Sequence, residues 1–260
     1  MGYCLWNGSL ASAMSNCVVR FSTFIRAIAL CLAVAVVSQQ ASAQLTVDKL
    51  WIDFDSNSSG REDVLLRNES DRRYYISVEP AEIMNPGMPD EARIEHQNPE
   101  DLGLLISPNR LILEPGEFRA LRIVSINDEP VRDRVYRIRV TPKIGTISAE
   151  EGAEEDRNAN LVVLMAYDLL VIVRPPQGKA DVHAQRTGEK IVLSNTGNTN
   201  TLLIDGTACP PEGQDWDCVT LPDTRLYAGA KAEFDLPQPD AVVRFISRDR
   251  TYVAPNEVVY

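Results

Sequence analysis

LVVLMAYDLLVIVRPPQG, residues Leu161 to Gly178, is the stretch from which the rest of the chain can be read. As far as Val173 its only charged side chain is Asp168, and apolar residues occupy odd and even positions alike. A strand with one wet face alternates, so this one either has both faces covered or carries an apolar row available to another chain. Pro175 and Pro176 then interrupt the pattern, because two prolines cannot continue a hydrogen-bonded ladder. A domain boundary is expected there, with 44–173 before it, a linker at 174–178 and 179–260 beyond.

Working outward, short alternating runs rich in Val, Ile, Leu and Tyr recur with turn residues between them, the pattern of a β-sandwich. Strands are expected over Leu45 to Phe54, Asp63 to Asn68, Tyr74 to Pro80, Leu104 to Ser107, Arg110 to Leu113, Phe118 to Ser125, Val135 to Thr141 and Leu161 to Arg174. Beyond the prolines they are expected over Asp181 to Arg186, Lys190 to Asn195, Thr201 to Ala208, Asp217 to Leu221, Arg225 to Tyr227, Ala232 to Leu236 and Ala241 to Ser247. No long amphipathic helix competes. Glu150, Glu151, Glu154, Glu155 and Asp156 read as a solvated acidic loop.

The first 43 residues are of a different kind: they hold no acid, two arginines (Arg20 and Arg26), an apolar run from Ala27 to Val37, and small residues ending Ala41, Ser42, Ala43. This reads as a secretory signal peptide cleaved before Gln44, its apolar run too short to cross a bilayer. Leu30 before Cys31 stands where a lipoprotein site needs a small residue, so lipidation is not expected. Over all 260 residues, 26 Lys and Arg face 37 Asp and Glu, a formal charge of -11. Cleavage would remove two of the basic residues and none of the acids, leaving an acidic product unsuited to binding nucleic acid. Of five cysteines, Cys209 and Cys218 lie beyond the signal and read as a disulfide in an oxidising compartment. A metal site at this pair lacks ligands, since His96 and His183 are the only histidines and neither is near it.

SPNRLILEPGEFRALRIV (Ser107 to Val124), DRVYRIRVTP (Asp133 to Pro142) and the long apolar strand ending VRPP (Val173 to Pro176) together resemble the periplasmic pilus (fimbrial) assembly chaperones. The features carrying the resemblance are Pro108, Leu113, Pro115, Gly116, Arg122 and Ile123, in that order. It extends to LLRNES (Leu65 to Ser70) in the first domain and to LSNTGN (Leu193 to Asn198) and RLYAGA (Arg225 to Ala230) in the second. It implies two immunoglobulin-like β-sandwiches set at an angle, an all-β fold.

The resemblance also implies a mechanism, donor-strand complementation, in which the last strand of the first domain lends alternate apolar side chains to an incomplete pilin-like subunit. The implied row is Leu161, Val163, Met165 and Tyr167; Val162 and Leu164 are apolar too, so a one-residue slip would exchange the rows. An ionic link between domains is implied at Asp133, Arg174 and Asp249. Where relatives keep two basic residues that anchor the subunit's terminal carboxylate, this chain has Trp51 and Leu170. Lys49, two residues before Trp51, is a possible substitute from the same strand face.

No nucleophile with a base, metal set or cofactor fingerprint is found, so neither catalysis nor a cofactor is expected. The expectation is a periplasmic chaperone that caps secreted pilin-like subunits for delivery to an outer-membrane usher, and that in some relatives caps itself as a homo-oligomer. The alternative is an exported two-domain immunoglobulin-like adhesin or scaffold that completes its own sheet.

Overall fold

Short alternating runs fold into paired sheets, so each run buries one parity and wets the other. The structure is a computed structural model that describes residues 44–126, 129–145, 163–248 and 256–260. The expected signal peptide and acidic loop lie outside these residues, as does Leu161. The first sandwich contains β1 (Leu45–Val47), β2 (Trp51–Phe54), β3 (Arg61–Asn68), β4 (Tyr74–Met84), β5 (Ala92–Ile94), α1 (Pro99–Leu102), β6 (Leu104–Ser107), β7 (Arg110–Leu113), β8 (Phe118–Ser125), β9 (Arg134–Lys143) and β10 (Tyr167–Val173). The second contains β11 (Val182–Thr187), β12 (Lys190–Asn195), β13 (Thr201–Cys209), β14 (Val219–Leu221), β15 (Thr224–Leu226), β16 (Lys231–Asp235), β17 (Val242–Arg248) and β18 (Asn256–Val259).

In the first sandwich a β1-β3-β8-β6 sheet faces a β2-β10-β9-β4-β5 sheet, with β7 also paired to β4. Leu66, Leu121, Tyr136, Ile138, Leu169 and Val171 are among the buried residues between them. In the second, β11-β12-β16 faces β14-β13-β17-β18, with β15 paired to β13, over a core that includes Ile191, Leu193, Leu203, Phe234 and Phe245. A Cys209–Cys218 disulfide ties the end of β13 to the chain just before β14. The all-β, two-sandwich expectation holds.

Two expected strands are corrected. Leu45 to Phe54 is not continuous: β1 pairs antiparallel with β3 in one sheet, and β2 pairs parallel with β10 in the other. The core parity changes with the sheet, from Leu45 on β1 to Ile52 and Phe54 on β2. Asp48 fixes the crossover, its Oδ1 accepting from the Leu65 amide at 2.7 Å. Among the described residues, the expected strand from Leu161 to Arg174 is paired only from Tyr167 to Val173, and 163–166 lead into it outside any ladder.

The same corner recurs in both sandwiches and accounts for two of the quoted motifs. Buried Asn68 donates from Nδ2 to the carbonyls of Arg72 (2.6 Å) and Leu113 (3.1 Å), while its Oδ1 accepts from the Ser70 amide and hydroxyl. Buried Asn195 donates to the carbonyls of Thr199 (2.8 Å) and Leu226 (3.1 Å), and its Oδ1 accepts from the Asp181 and Gly197 amides. Each asparagine's backbone carbonyl also accepts from a glycine with positive φ, Gly116 (75°) or Gly229 (84°), a conformation that costs other residues strain. Asn68→Ala is expected to destabilise by about 1–3 kcal/mol for each buried partner left unsatisfied. A lowered urea midpoint with unchanged m-value would show this; a wild-type midpoint would contradict the corner's role.

Candidate functional site

Over its paired length β10 is covered on both faces. Its odd residues Leu169, Val171 and Val173 enter the first core. Its even residues Leu170 and Ile172 join Ile83 and Val135 in a separate cluster on the outer face of the sheet, against Trp51 and Tyr227. Tyr227 comes from the second sandwich, which therefore helps cover the strand's outer face.

The strand's two edges differ. β9 pairs with it along its whole length, from Tyr167↔Val140 to Val173↔Arg134, whereas β2 pairs only from Leu170↔Trp51 to Val173↔Phe54. Among the described residues no strand occupies the β2 side of Tyr167 to Leu169. The Leu170 amide points to that side, donating to the Leu50 carbonyl at 2.9 Å, so by strand alternation the Asp168 amide does too. The Asp168 carbonyl accepts from Arg137 at 3.4 Å.

The residues of the implied row are not equivalent. Val163 is 65% and Met165 54% exposed, an apolar pair left mostly to solvent. Leu164 between them packs against the first core, as does Tyr167, whose hydroxyl donates to the Leu45 carbonyl at 2.6 Å. Tyr167 is thus engaged with its own sandwich, and the presented side chains described are Val163 and Met165.

Trp51 and Leu170, at which the resemblance implies an anchor, are direct partners in the β2–β10 ladder. The Trp51 ring is a platform for Arg225 of the second sandwich, whose guanidinium lies 4.2 Å from the ring centroid and donates to Asn200 Oδ1 at 2.6 Å. Burial pulls the pKa of Arg225 down. Lys49 lies in the crossover before β2, and its ammonium is 2.6 Å from Glu62 on β3. Among the described residues no cluster of His, Cys, Asp and Glu is arranged to hold a metal ion.

At the join between the sandwiches, fully buried Arg174 donates to both oxygens of Asp53, at 3.0 and 3.3 Å, and to Thr199 Oγ1 at 2.7 Å. Asp133 enters one step removed, accepting from Thr199 Oγ1 (2.7 Å) and from the backbone and side-chain nitrogens of Asn200 (both 2.6 Å). The third implied member, Asp249, lies outside the described residues. The acid that meets Arg174 is Asp53, which sequence reasoning missed although it shares a strand parity with Trp51; Thr199 and Asn200 carried no separate signal. A cavity of about 500 Å³ lies along this seam, lined in part by Ile83, Asp133, Val135 and Tyr227.

Arg174→Ala strands a nearly buried carboxylate and is expected to cost about 3–5 kcal/mol in denaturant unfolding, with little change contradicting the link. Burial holds Asp133 above the usual carboxylate range, although Asn200, Arg174 and Thr199 all pull it down. The folded state therefore holds this proton more tightly than the unfolded chain, so its contribution to stability falls as pH rises from the ordinary carboxylate value through the raised one. Asp133→Asn should remove that part of the slope, seen as a pH-dependent difference from wild type; a constant difference would assign the slope elsewhere.

No protein-family model matches the chain. It is 27% identical over 150 residues to a CS1 fimbrial protein of Escherichia coli, described as a fimbrial subunit, a match covering 56% of this chain and 61% of that protein's length. It is 25% identical over 167 residues to a CFA/I fimbrial protein of Escherichia coli, described in the same way, covering 64% of this chain and 69% of the relative. Among solved structures, the class 5 fimbriae chaperone CfaA matches 83% of this chain and 97% of its own with a TM-score of 0.61 at 20% identity. A chain of the Salmonella enterica SafA pilin–SafB chaperone complex matches 84% and 97% with a TM-score of 0.53 at 15% identity. The chain has the two-sandwich fold of fimbrial chaperones, and its resemblance to that family holds in structure as well as in the quoted motifs.

Proposed function

We propose that the protein is a non-catalytic periplasmic chaperone for pilin-like subunits, holding each one by strand addition until an outer-membrane usher receives it. The observation that carries this reading is the uncovered Val163 and Met165 leading directly into a β10 edge unpaired from Tyr167 to Leu169. An incoming strand placed there gains backbone hydrogen bonds to the open edge and buries the two side chains. Burial is worth about 1.5–3 kcal/mol per side chain, against about 0.5–1.5 kcal/mol net per backbone hydrogen bond. Specificity then comes from the exposed row and alignment from the ladder. Solved relatives support the partner class, since they include a chaperone with a tip adhesin and a chaperone with a pilin.

The second sandwich acts here as a support. By covering Leu170 and Ile172 it keeps the C-terminal half of β10 in place, while the N-terminal half stays available. The leader read over 1–43 would bring the chain to the periplasm.

Coexpression with candidate pilin-like subunits in a bacterial periplasm, followed by copurification, tests the reading. Val163→Glu with Met165→Glu is expected to abolish the complex while leaving the thermal unfolding midpoint within a few degrees of wild type, because neither side chain supports the protein's own core. Recovery of the complex with both glutamates in place would contradict strand addition here and favour the self-completed scaffold.

A further inference from the structure

The outer face of the β10 sheet changes character away from the seam. Past the apolar cluster it carries Arg93, Arg137 and Arg139, then Arg110 and Lys143, against the carboxylates of Asp168 and Glu79. Five cations over two acids stand out in a chain whose formal charge is -11. Several arginines elsewhere are matched to acids, among them Arg67, Arg73, Arg119, Arg122 and Arg244. On this face Arg93 pairs with Asp168 at 3.2 Å, but among the described residues Arg110, Arg139 and Lys143 form no ion pair within 4.0 Å.

These cations border an apolar hollow. Tyr75 lies opposite Ile112 on one side and Lys143 on the other, and Ser77, two residues on, lies opposite Arg110. Tyr75 and Ile112 are 43% and 46% exposed and line a groove of about 580 Å³ together with Arg110, Lys143 and Glu79. β9 alone separates β4 from β10, so the groove lies about 10 Å, two strand spacings, from the line on which 163–166 approach the sheet.

We propose that this face binds an acidic segment of the client subunit, its carboxylates meeting Arg110, Arg139 and Lys143 and an apolar neighbour filling the Tyr75–Ile112 groove. The inference rests on the strand-addition reading and adds the chemistry of the partner. A short acidic segment fits a patch of five cations and two acids, and opposite charge over such a patch favours encounter and orientation more than final affinity.

Two synthetic strand peptides of the same alternating valine–threonine pattern, one ending in glutamates and one in glutamines, test this by fluorescence anisotropy with the full-length protein at low and high salt. The acidic peptide is expected to bind about tenfold more tightly at low salt. The preference should vanish at high salt and in Arg110→Glu with Lys143→Glu. Equal binding of the two peptides, while Val163→Glu with Met165→Glu abolishes both, overturns the inference and leaves strand addition standing. A charge-dependent preference that survives the Val163 and Met165 changes supports the basic face and removes strand addition. Failure of both peptides to bind counts against both. Phosphatidylglycerol vesicles bound through the same cations, with the peptides binding alike, would assign the face to a lipid surface and overturn the inference.

Discussion

The structure depends on one constraint: β10 is apolar on both faces and must be covered on both. One face is covered by the sandwich to which the strand belongs, through Leu169, Val171 and Val173. The other is covered in part from the second sandwich, through Tyr227 over Leu170 and Ile172. Burying those last two side chains is worth about 3–6 kcal/mol together, a sizeable share of what holds a typical domain folded. The buried Arg174–Asp53 pair adds direction more than strength, because desolvating two charges offsets much of their attraction.

The same constraint stops short of residues 163–166. Upstream of Tyr167 the apolar pattern continues in the sequence, but the cover thins: Leu164 still packs against the core, Val163 and Met165 are more than half exposed, and β2 has already ended. A single apolar run is therefore divided into a sealed half that joins the sandwiches and an exposed half. Tyr167 marks the division, its ring against the core and its hydroxyl on the Leu45 carbonyl. With Trp51 and Leu170 where the resemblance implies basic residues, positive charge in this region comes from Arg225 stacked on Trp51 and from the arginines of the neighbouring strands.

Alternation made much of this legible before any coordinates. β6, β7, β8 and β12 have the bounds read from their periodicity, and both Asn-led corners lie inside quoted motifs. The crossover between β1 and β2 was also written in the sequence, as a change of apolar parity between Leu45 and Ile52, but a continuous-strand reading absorbed it. β5 and α1 lack the alternation that would reveal a strand or the length that would reveal a helix. At the site, a strand apolar on both parities followed from composition, whereas the choice of row, Arg174 and Asp133 came only through the family resemblance. Asp53 went unseen because ion pairing across a parallel ladder leaves no local spacing to detect.

Amide hydrogen exchange followed residue by residue, with and without a bound pilin-like client, tests the division of β10 most directly. In the free protein, the amides of Leu169 to Val173 should exchange slowly, while those of Val163 to Ala166 and of Asp168 should exchange nearly as fast as in an unfolded peptide. Client binding should slow the second group and leave the first little changed. Protection of Val163 to Ala166 in the free monomer, or no added protection in the complex, would contradict the account.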